Sequence, residues 1–260
     1  MKFALIAVAG LATVASAQTA DRFTGTHTGV RPVQNSGYNG GAMIGTDATL
    51  WDNGGFQTTP GFSELQTGET IFGYGNQAPP ISNSMGDDFT VSGGGWNVTS
   101  LSFFGYQTGS TTATSTFTAV NWTIYAGAIG NTSTPVGSGS GLNSSTFTGV
   151  YRVNAGLTTT NRPIFMNTVN VSVSLANGAH WVAWNAAGSL ASGPWAPPVT
   201  PFPAGANGMQ QIGAAGLWVT TVNGPHADDL PFIVSGTVVP APASLALIGL
   251  GGLVAGRRRR

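Results

Sequence analysis

Cysteine is absent from this 260-residue chain, and charged residues make up only 7% of it, whereas about 25% is usual for soluble domains. The absence of cysteine excludes a disulfide framework, an iron–sulfur cluster, a thiol nucleophile and a cysteine-ligated zinc ion. Lys2 is the only lysine, and it lies in an N-terminal segment that we expect to be removed. A P-loop, a Schiff base and a lysine general base are therefore excluded as well.

Basic residues are also scarce in the central part of the chain. Between Gln18 and Gly256 there are four arginines and nine acidic residues, which gives this part a net charge of −5. The formal charge of zero for the whole chain thus combines an acidic body with basic ends. Nucleic-acid binding requires clustered basic residues on the folded domain, so we expect no nucleic-acid partner.

Residues 1–17 have the pattern of an export signal. Lys2 supplies a positive charge, an uncharged apolar stretch follows it, and the small residues Ala15 and Ala17 mark a cleavage site. The pattern predicts a signal helix that is removed after Ala17. The exported protein is then expected to begin at Gln18.

Near the C-terminus, residues 243–256 are uncharged and rich in Leu, Ala and Gly, and four arginines follow them. A helix of this length covers about 21 Å, whereas the hydrocarbon core of a bilayer is roughly 30 Å thick. Arginines can snorkel to the interface, and they orient such a helix with its end in the cytoplasm. We therefore expect a short helix that holds the precursor in the membrane transiently, followed by the stop residues Arg257, Arg258, Arg259 and Arg260.

A short proline motif precedes this hydrophobic stretch and consists of Val239, Pro240, Ala241 and Pro242. Together with the apolar helix and the arginine cluster, the motif resembles a bacterial PEP-CTERM sorting domain over residues 239–260. The usual motif is Pro-Glu-Pro, so this chain departs from it at the middle position. The resemblance implies that the protein is exported, held in the membrane and cleaved near the motif by an exosortase-type enzyme. It also implies a final location at the cell surface or outside the cell.

Between the two signals, the sequence predicts one β-rich domain over residues 48–238, preceded by an extended segment over residues 18–47. Val120, Trp122 and Ile124 alternate with polar residues, as expected of a strand with one buried face. Similar runs recur between Gly, Asn and Pro clusters, and no fixed repeat supports the alternative of a β-solenoid. We therefore predict an all-β fold, namely an antiparallel β-sandwich of jelly-roll type. The predicted strands are Ala48–Trp51, Thr70–Tyr74, Ser84–Val91, Trp96–Gln107, Val120–Ala126, Thr146–Val153, Pro163–Met166 running into Val169–Leu175, Ala179–Asn185, Leu217–Val222 and Pro231–Val238.

Two pairs of adjacent acids, Asp87 with Asp88 and Asp228 with Asp229, contain four of the nine acidic residues. Their oxygens can cap turns at strand ends, bind Ca²⁺ together with backbone carbonyls, or act as acid and base in glycoside hydrolysis. Adjacent residues of a strand point to opposite faces of its sheet, so neither pair alone forms a catalytic dyad. Turn capping is the simplest interpretation, and a calcium site at these four acids is the main alternative.

The seven tryptophans suit either a hydrophobic core or a platform for sugar rings. Trp195 differs from the others because it lies in a proline-rich stretch, residues 193–203. Loops lie at the surface, so Trp195 is the best candidate for contact with a ligand. The alternative is that its ring folds back and covers the edge of a sheet.

The sequence contains no nucleophile elbow and no paired-histidine zinc motif, and we nominate no catalytic residue. The leading hypothesis is a non-enzymatic structural or adhesive protein of the cell surface or extracellular matrix. The first alternative is a carbohydrate-binding module that retains exopolysaccharide, and a glycosidase or lyase is less favoured. Apart from the calcium alternative, we expect no cofactor.

Overall fold

The computed structural model describes residues 47–53, 55–130, 132–199 and 205–239. These residues form sixteen β-strands and no helix, which confirms the all-β fold class for this part of the chain. The predicted signal helix and the predicted C-terminal helix lie outside the described residues. Within those residues, no helix is long and apolar enough to cross a membrane.

The first of two large sheets has six strands. Every neighbouring pair in it is antiparallel except β2 and β8, which run parallel. In hydrogen-bonded order, its strands are β1 (Ala48–Asp52), β16 (Phe232–Val238), β5 (Trp96–Gly105), β9 (Pro163–Leu175), β8 (Ser144–Val153) and β2 (Phe62–Glu64). The first and last strands of the described chain are therefore neighbours.

The second large sheet also has six strands, and all of its neighbouring pairs are antiparallel. Their order is β13 (Trp218–Thr220), β12 (Met209–Gln211), β4 (Ser84–Val91), β10 (Gly178–Gly188), β6 (Phe117–Ala126) and β7 (Pro135–Gly141). Two small antiparallel sheets complete the fold. They pair β3 (Tyr74–Gly75) with β11 (Trp195–Ala196), and β14 (Val222–Asn223) with β15 (His226–Ala227).

Residues from both large sheets meet in one apolar cluster. Phe103 on β5 stacks on Trp184 of β10, with ring centroids 4.8 Å apart. The ring of Phe89 on β4 packs edge-on against Phe232 of β16, at a centroid distance of 6.0 Å. Burial of such large rings supplies most of the driving force for folding in a chain without disulfides.

Alternation along β6 explains how one strand serves both the core and the surface. Val120, Trp122 and Ile124 are buried, whereas Asn121 and Thr123 between them are partly exposed. This pattern agrees with the period of two expected for a strand that has one apolar face.

The predicted strand Thr70–Tyr74 is wrong over most of its length, because only Tyr74 belongs to a strand. The backbone N–H groups of Thr70 and Ile71 both donate to Oδ1 of Asn223, at 2.8 Å each. The carbonyl of Ile71 accepts a hydrogen bond from Nδ2 of the same asparagine at 3.0 Å. A side chain thus satisfies backbone groups that a neighbouring strand satisfies elsewhere.

The parallel pairing of β2 with β8 also departs from the purely antiparallel prediction. Phe62 lies opposite Tyr151, and Glu64 lies opposite Val153. Only a hairpin forces two strands to run antiparallel, and these two strands are far apart in sequence. No hairpin joins β2 to β8, so β2 can pair with β8 in the parallel direction.

Candidate functional site

Asp87 lies on β4 and is fully buried. Its Oδ2 accepts hydrogen bonds from Nδ2 of Asn53 at 2.8 Å and from the backbone N–H of Leu230 at 2.6 Å. Burial is the main cause of a raised pKa of Asp87, and the charges of Asp229 and Asp88 raise this pKa further. The carboxyl group thus connects β4 to the residue that follows β1 and to the segment that leads into β16.

Asp228 is also fully buried, and its Oδ2 accepts a hydrogen bond from the hydroxyl of Tyr74. Its Oδ1 has no hydrogen-bond partner among the described residues. Burial raises the pKa of Asp228 to about 7, against the lowering effects of the Tyr74 hydroxyl and of the Arg152 charge. The pKa of Tyr74 is raised too, first by burial and then by the charge of Asp228.

Arg152 on β8 is the central cation of this buried cluster, and its side chain is only 2% exposed. Its Nη2 lies 3.8 Å from Oε2 of Glu69, whose side chain is completely buried. Its Nε donates to the carbonyl of Phe72 at 2.8 Å, Nη1 donates to Oγ of Ser63 at 3.0 Å, and Nη2 donates to the carbonyl of Ile71 at 3.2 Å. The guanidinium group thus fastens the connection between β2 and β3 to the first large sheet.

Asp88 faces away from Asp87 and is half-buried. Its Oδ1 accepts a hydrogen bond from the backbone N–H of Ala206 at 2.7 Å. Burial raises the pKa of Asp88 to about 6, although hydrogen bonds from backbone N–H groups lower it. Asp88 therefore holds the loop that enters β12.

The two acid pairs are therefore divided between environments. Asp87 lies near Asp229, Asp228 lies beside Tyr74, and Asp88 points to a loop. Both oxygens of Asp87 accept backbone or amide N–H groups, which is how turn-capping carboxylates behave. In the part of the chain that the structure describes, no group of three or more His, Asp or Glu side chains is arranged to hold a metal ion. The calcium site stays a prediction.

Trp195 lies on β11 and is partly buried. Its backbone exchanges two hydrogen bonds with Tyr106, both of 2.9 Å. The indole Nε1 donates to Oγ of Ser192 at 3.3 Å, and the ring packs against the apolar cluster that contains Phe104 and Tyr106. This placement agrees with a tryptophan folded over a sheet edge, and the residue remains partly exposed.

A surface groove of about 610 Å³ lies along β7, beside the second half of β9. Within the described residues, β8 pairs with β9 only from Pro163 to Thr168. The backbone N–H of Asn170 donates to Oδ1 of Asn143 at 2.7 Å, and the residues of β9 that follow Asn170 have β5 on one side and the groove on the other. Among the strands that the structure describes, β7 pairs only with β6, so β7 also presents a backbone edge. The groove is lined by Trp122, Val136, Gly137, Ser138 and the stretch Asn170 to Ser174 of β9.

Trp122 closes one side of this groove and is only 7% exposed. Its indole N–H donates no hydrogen bond to any described residue. A Cβ on Gly139 of β7 would lie 2.9 Å from Cζ2 of Trp122, and a Cβ on Gly137 would lie 2.8 Å from Cγ2 of Val173. Glycine at these two positions lets the edge strand pass close to the indole ring.

Sequence reasoning missed both Arg152 and the groove. Val150 and Arg152 have the same parity on one predicted strand, so alternation was a signal that the arginine faces inward with the valine. Both residues are indeed buried. The groove had a weaker signal, the Gly-Ser alternation from Gly137 to Gly141, which lacks the apolar residues that mark a strand.

The predicted targeting residues lie outside the described part, with one exception. Val239 is the last described residue, and its N–H donates to the carbonyl of Gly95 at 2.8 Å, while its own carbonyl accepts from Gly94 at 3.0 Å. Ala15, Ala17, Gln18, Pro240, Ala241, Pro242 and Arg257 to Arg260 all lie outside. No family model and no curated protein matches this sequence.

Proposed function

We propose that this protein is an exported structural or adhesive module of the bacterial cell surface or extracellular matrix, without enzymatic activity. The observation that carries the proposal is the use of its buried ionisable groups. Asp87, Asp228 and Arg152 each hold together segments that are distant in sequence. These groups are buried and link segments inside the fold, which supports a structural role.

We further propose that the two large sheets form a jelly-roll-like β-sandwich. The chain passes from one sheet to the other between β4 and β5, between β5 and β6, between β7 and β8, and between β9 and β10. Repeated crossings of this kind are typical of double-sheet Greek-key folds. The shared apolar cluster between the sheets supports the same architecture.

The proposed location at the cell surface or outside the cell rests on the sorting tail. The proposed partners of this tail are the membrane and an exosortase-type enzyme. Because the backbone of Val239 is hydrogen-bonded to Gly94 and Gly95, the folded body extends to the first residue of the proline motif. Proline disfavours regular helix and sheet in general, so we expect the motif to be accessible to a processing enzyme. A processing enzyme can then cut just beyond the folded body, close to residues 239–243.

Intact-mass measurement of the exported protein tests this proposal. We expect a species that begins at Gln18 and ends within residues 239–243. Replacing Arg257–Arg260 by serine is expected to weaken membrane retention, and replacing Pro240 and Pro242 by alanine is expected to leave membrane-held precursor. A mature species that still carries the arginine cluster contradicts the sorting proposal.

A second candidate is a carbohydrate-binding module that retains exopolysaccharide. It is favoured by the neutral character of the surface, because residues 89–151 and 163–227 contain no Asp, Glu, Lys or Arg. Polysaccharide pull-down with the wild-type protein and with Trp195→Ala tests the ligand contact expected from the sequence. The glycosidase or lyase alternative gains no support from Asp87 and Asp229, since both are fully buried.

A further inference from the structure

The groove along β7 has the chemistry of a binding site for a neutral ligand. None of its lining residues is charged, and burial of a charged ligand in a site without opposite charge is unfavourable. Its volume of about 610 Å³ lies within the usual range of ligand sites, roughly 300–1,000 Å³. The groove supplies no opposite charge for an ionic ligand and therefore favours an uncharged one.

The hydrogen-bonding groups of the groove are hydroxyls and amides. Ser138 on β7 and Asn170 and Ser172 on β9 line it, and these side chains both donate and accept hydrogen bonds. Ser174 also lines the groove, and its hydroxyl donates to Oδ1 of Asn97 at 2.8 Å, which leaves it as an acceptor. The indole N–H of Trp122 borders the groove and is a further donor, and its nitrogen stays in contact with solvent although most of the residue is buried. A ligand oxygen in the groove can replace the water that hydrates this donor.

The apolar groups of the groove are the Trp122 indole and the side chains of Val171 and Val173. A neutral ligand that is rich in hydroxyls and also has apolar ring faces matches this combination. We propose that the groove binds a neutral polysaccharide chain, lying along β7. This inference rests on the proposed surface function and moves the glycan contact from Trp195 to Trp122.

Two open strand edges can also receive an extended strand from a second copy of the chain. The hydroxyl and amide side chains that line the groove favour the glycan, because strand addition uses backbone groups alone. Pairing between two copies is therefore an outcome that the experiment distinguishes.

The test measures binding of neutral hexasaccharides of β-linked glucose and of β-linked xylose to the full-length chain by isothermal titration calorimetry. A detergent without a sugar headgroup keeps the chain in solution, and oligogalacturonate serves as a charged probe. We expect binding of at least one neutral hexasaccharide and none of oligogalacturonate. Absence of binding to both neutral probes at millimolar concentration overturns the proposal.

Matched variants on β7 locate the site. Gly139→Ala places a methyl group against the Trp122 ring, whereas a Cβ at Gly141 meets no atom within 4 Å. We expect Gly139→Ala to weaken binding roughly tenfold, the order of one aromatic contact, and Gly141→Ala to leave it unchanged.

A second pair keeps the test valid if Gly139→Ala disturbs folding. Ser138 and Ser140 are both exposed on β7, and only Ser138 lines the groove. Ser138→Asp is expected to weaken binding and Ser140→Asp to leave it intact, with unchanged melting temperatures for both. Equal affinity in these two variants overturns the location.

Sedimentation velocity on the same samples tests whether two copies of the chain pair through the groove. A concentration-dependent dimer that Ser138→Asp abolishes, with no hexasaccharide bound, assigns the groove to self-association and overturns the glycan proposal. Failure of the surface function appears separately, in the intact mass and location of the exported protein, since purified protein binds sugars regardless of its processing.

Discussion

Single buried ionisable residues hold the connections of this protein in place. The chain has few charges, and several of them are used inside the fold, where they are most consequential for stability. Arg152 contacts carbonyl groups of the segment before β3, and Asp87 contacts segments at both ends of the described chain. Each such group costs free energy to bury and is strongly destabilising when its partner is removed.

Replacing Arg152 by methionine tests this dependence. The variant keeps an apolar stem but leaves the buried Glu69 without its cation, so we expect a loss of about 3–5 kcal/mol in the free energy of unfolding. Urea unfolding followed by circular dichroism measures it.

Arg162→Met is the matched control for this variant. Arg162 lies over the ring of Phe72 at 4.3 Å from its centroid, so its loss is expected to cost at most about 1 kcal/mol. In the double variant Arg152→Met with Glu69→Gln, part of the stability should return, since no charge is left unpaired. Equal losses in Arg152→Met and Arg162→Met refute the structural role of Arg152.

The buried acids make stability depend on pH. The pKa of Asp228 is about 7 in the folded protein and about 3.9 in an unfolded chain, so the folded state binds more protons between these values. Stability is therefore expected to decrease as pH rises from about 4 to 7. The raised pKa of Asp88, about 6, acts in the same direction.

Asp228→Asn isolates the contribution of one residue. Asparagine keeps an acceptor for the Tyr74 hydroxyl and does not titrate, so the change in melting temperature between pH 5 and pH 8 should become smaller. Thermal unfolding at both pH values measures the change. A pH dependence identical to that of the unaltered protein excludes Asp228 as its source.

At the scale of elements, apolar alternation was sufficient to predict the long strands. Ser84–Val91 has the predicted ends, and Pro163–Leu175 joins two predicted runs into one strand. β7 was missed because its glycines and serines carry no hydrophobic signal. β2 and β12 were missed because three residues are too few to show a period, and long-range pairing decides their conformation.

Gly236 on β16 shows how closely the strands of the first sheet approach. A Cβ at this position would overlap the carbonyl oxygen of Asn97 on β5, at a point where the register between the two strands shifts. We expect Gly236→Ala to lower the free energy of unfolding by about 1–3 kcal/mol. Gly141→Ala, at a strand position with open space around it, should change it by no more than about 0.5 kcal/mol.

Chemical denaturation of both variants provides the measurement. The comparison is strict because the chemical change is the same and both glycines lie in β-strands. If Gly236→Ala is as stable as Gly141→Ala, the close approach of β16 to β5 at this position is wrong.

At the scale of the whole molecule, the sequence predicts an all-β body but not the groove or the contacts between strands that form it. The sequence marks the acid pairs as a possible site because acids are rare in this chain. The groove gives no such signal, because it is lined by residue types that are common throughout the chain. Trp122 lies beside β7 because the consecutive strands β6 and β7 pair with each other, whereas Ser138 and Asn170 become neighbours only through the packing of β7 beside β9. Sequence spacing contains no information on this second contact, because it joins strands of two different sheets.

The first and last described strands pair with each other, since β1 lies beside β16 along Ala48 to Asp52. All described strands lie within residues 47–239, so we expect this fragment to unfold in one cooperative transition with the midpoint of the full-length protein. Without cysteine, a reductant should not shift that midpoint.

Removing residues 47–54 as well should lower the midpoint clearly, because β16 loses its outer partner and Asp87 loses the amide of Asn53. Tryptophan fluorescence and far-ultraviolet circular dichroism, recorded on one sample, provide the measurement. Two separate transitions in fragment 47–239, or an equally stable fragment 55–239, contradict a single core that is completed by the first and last strands.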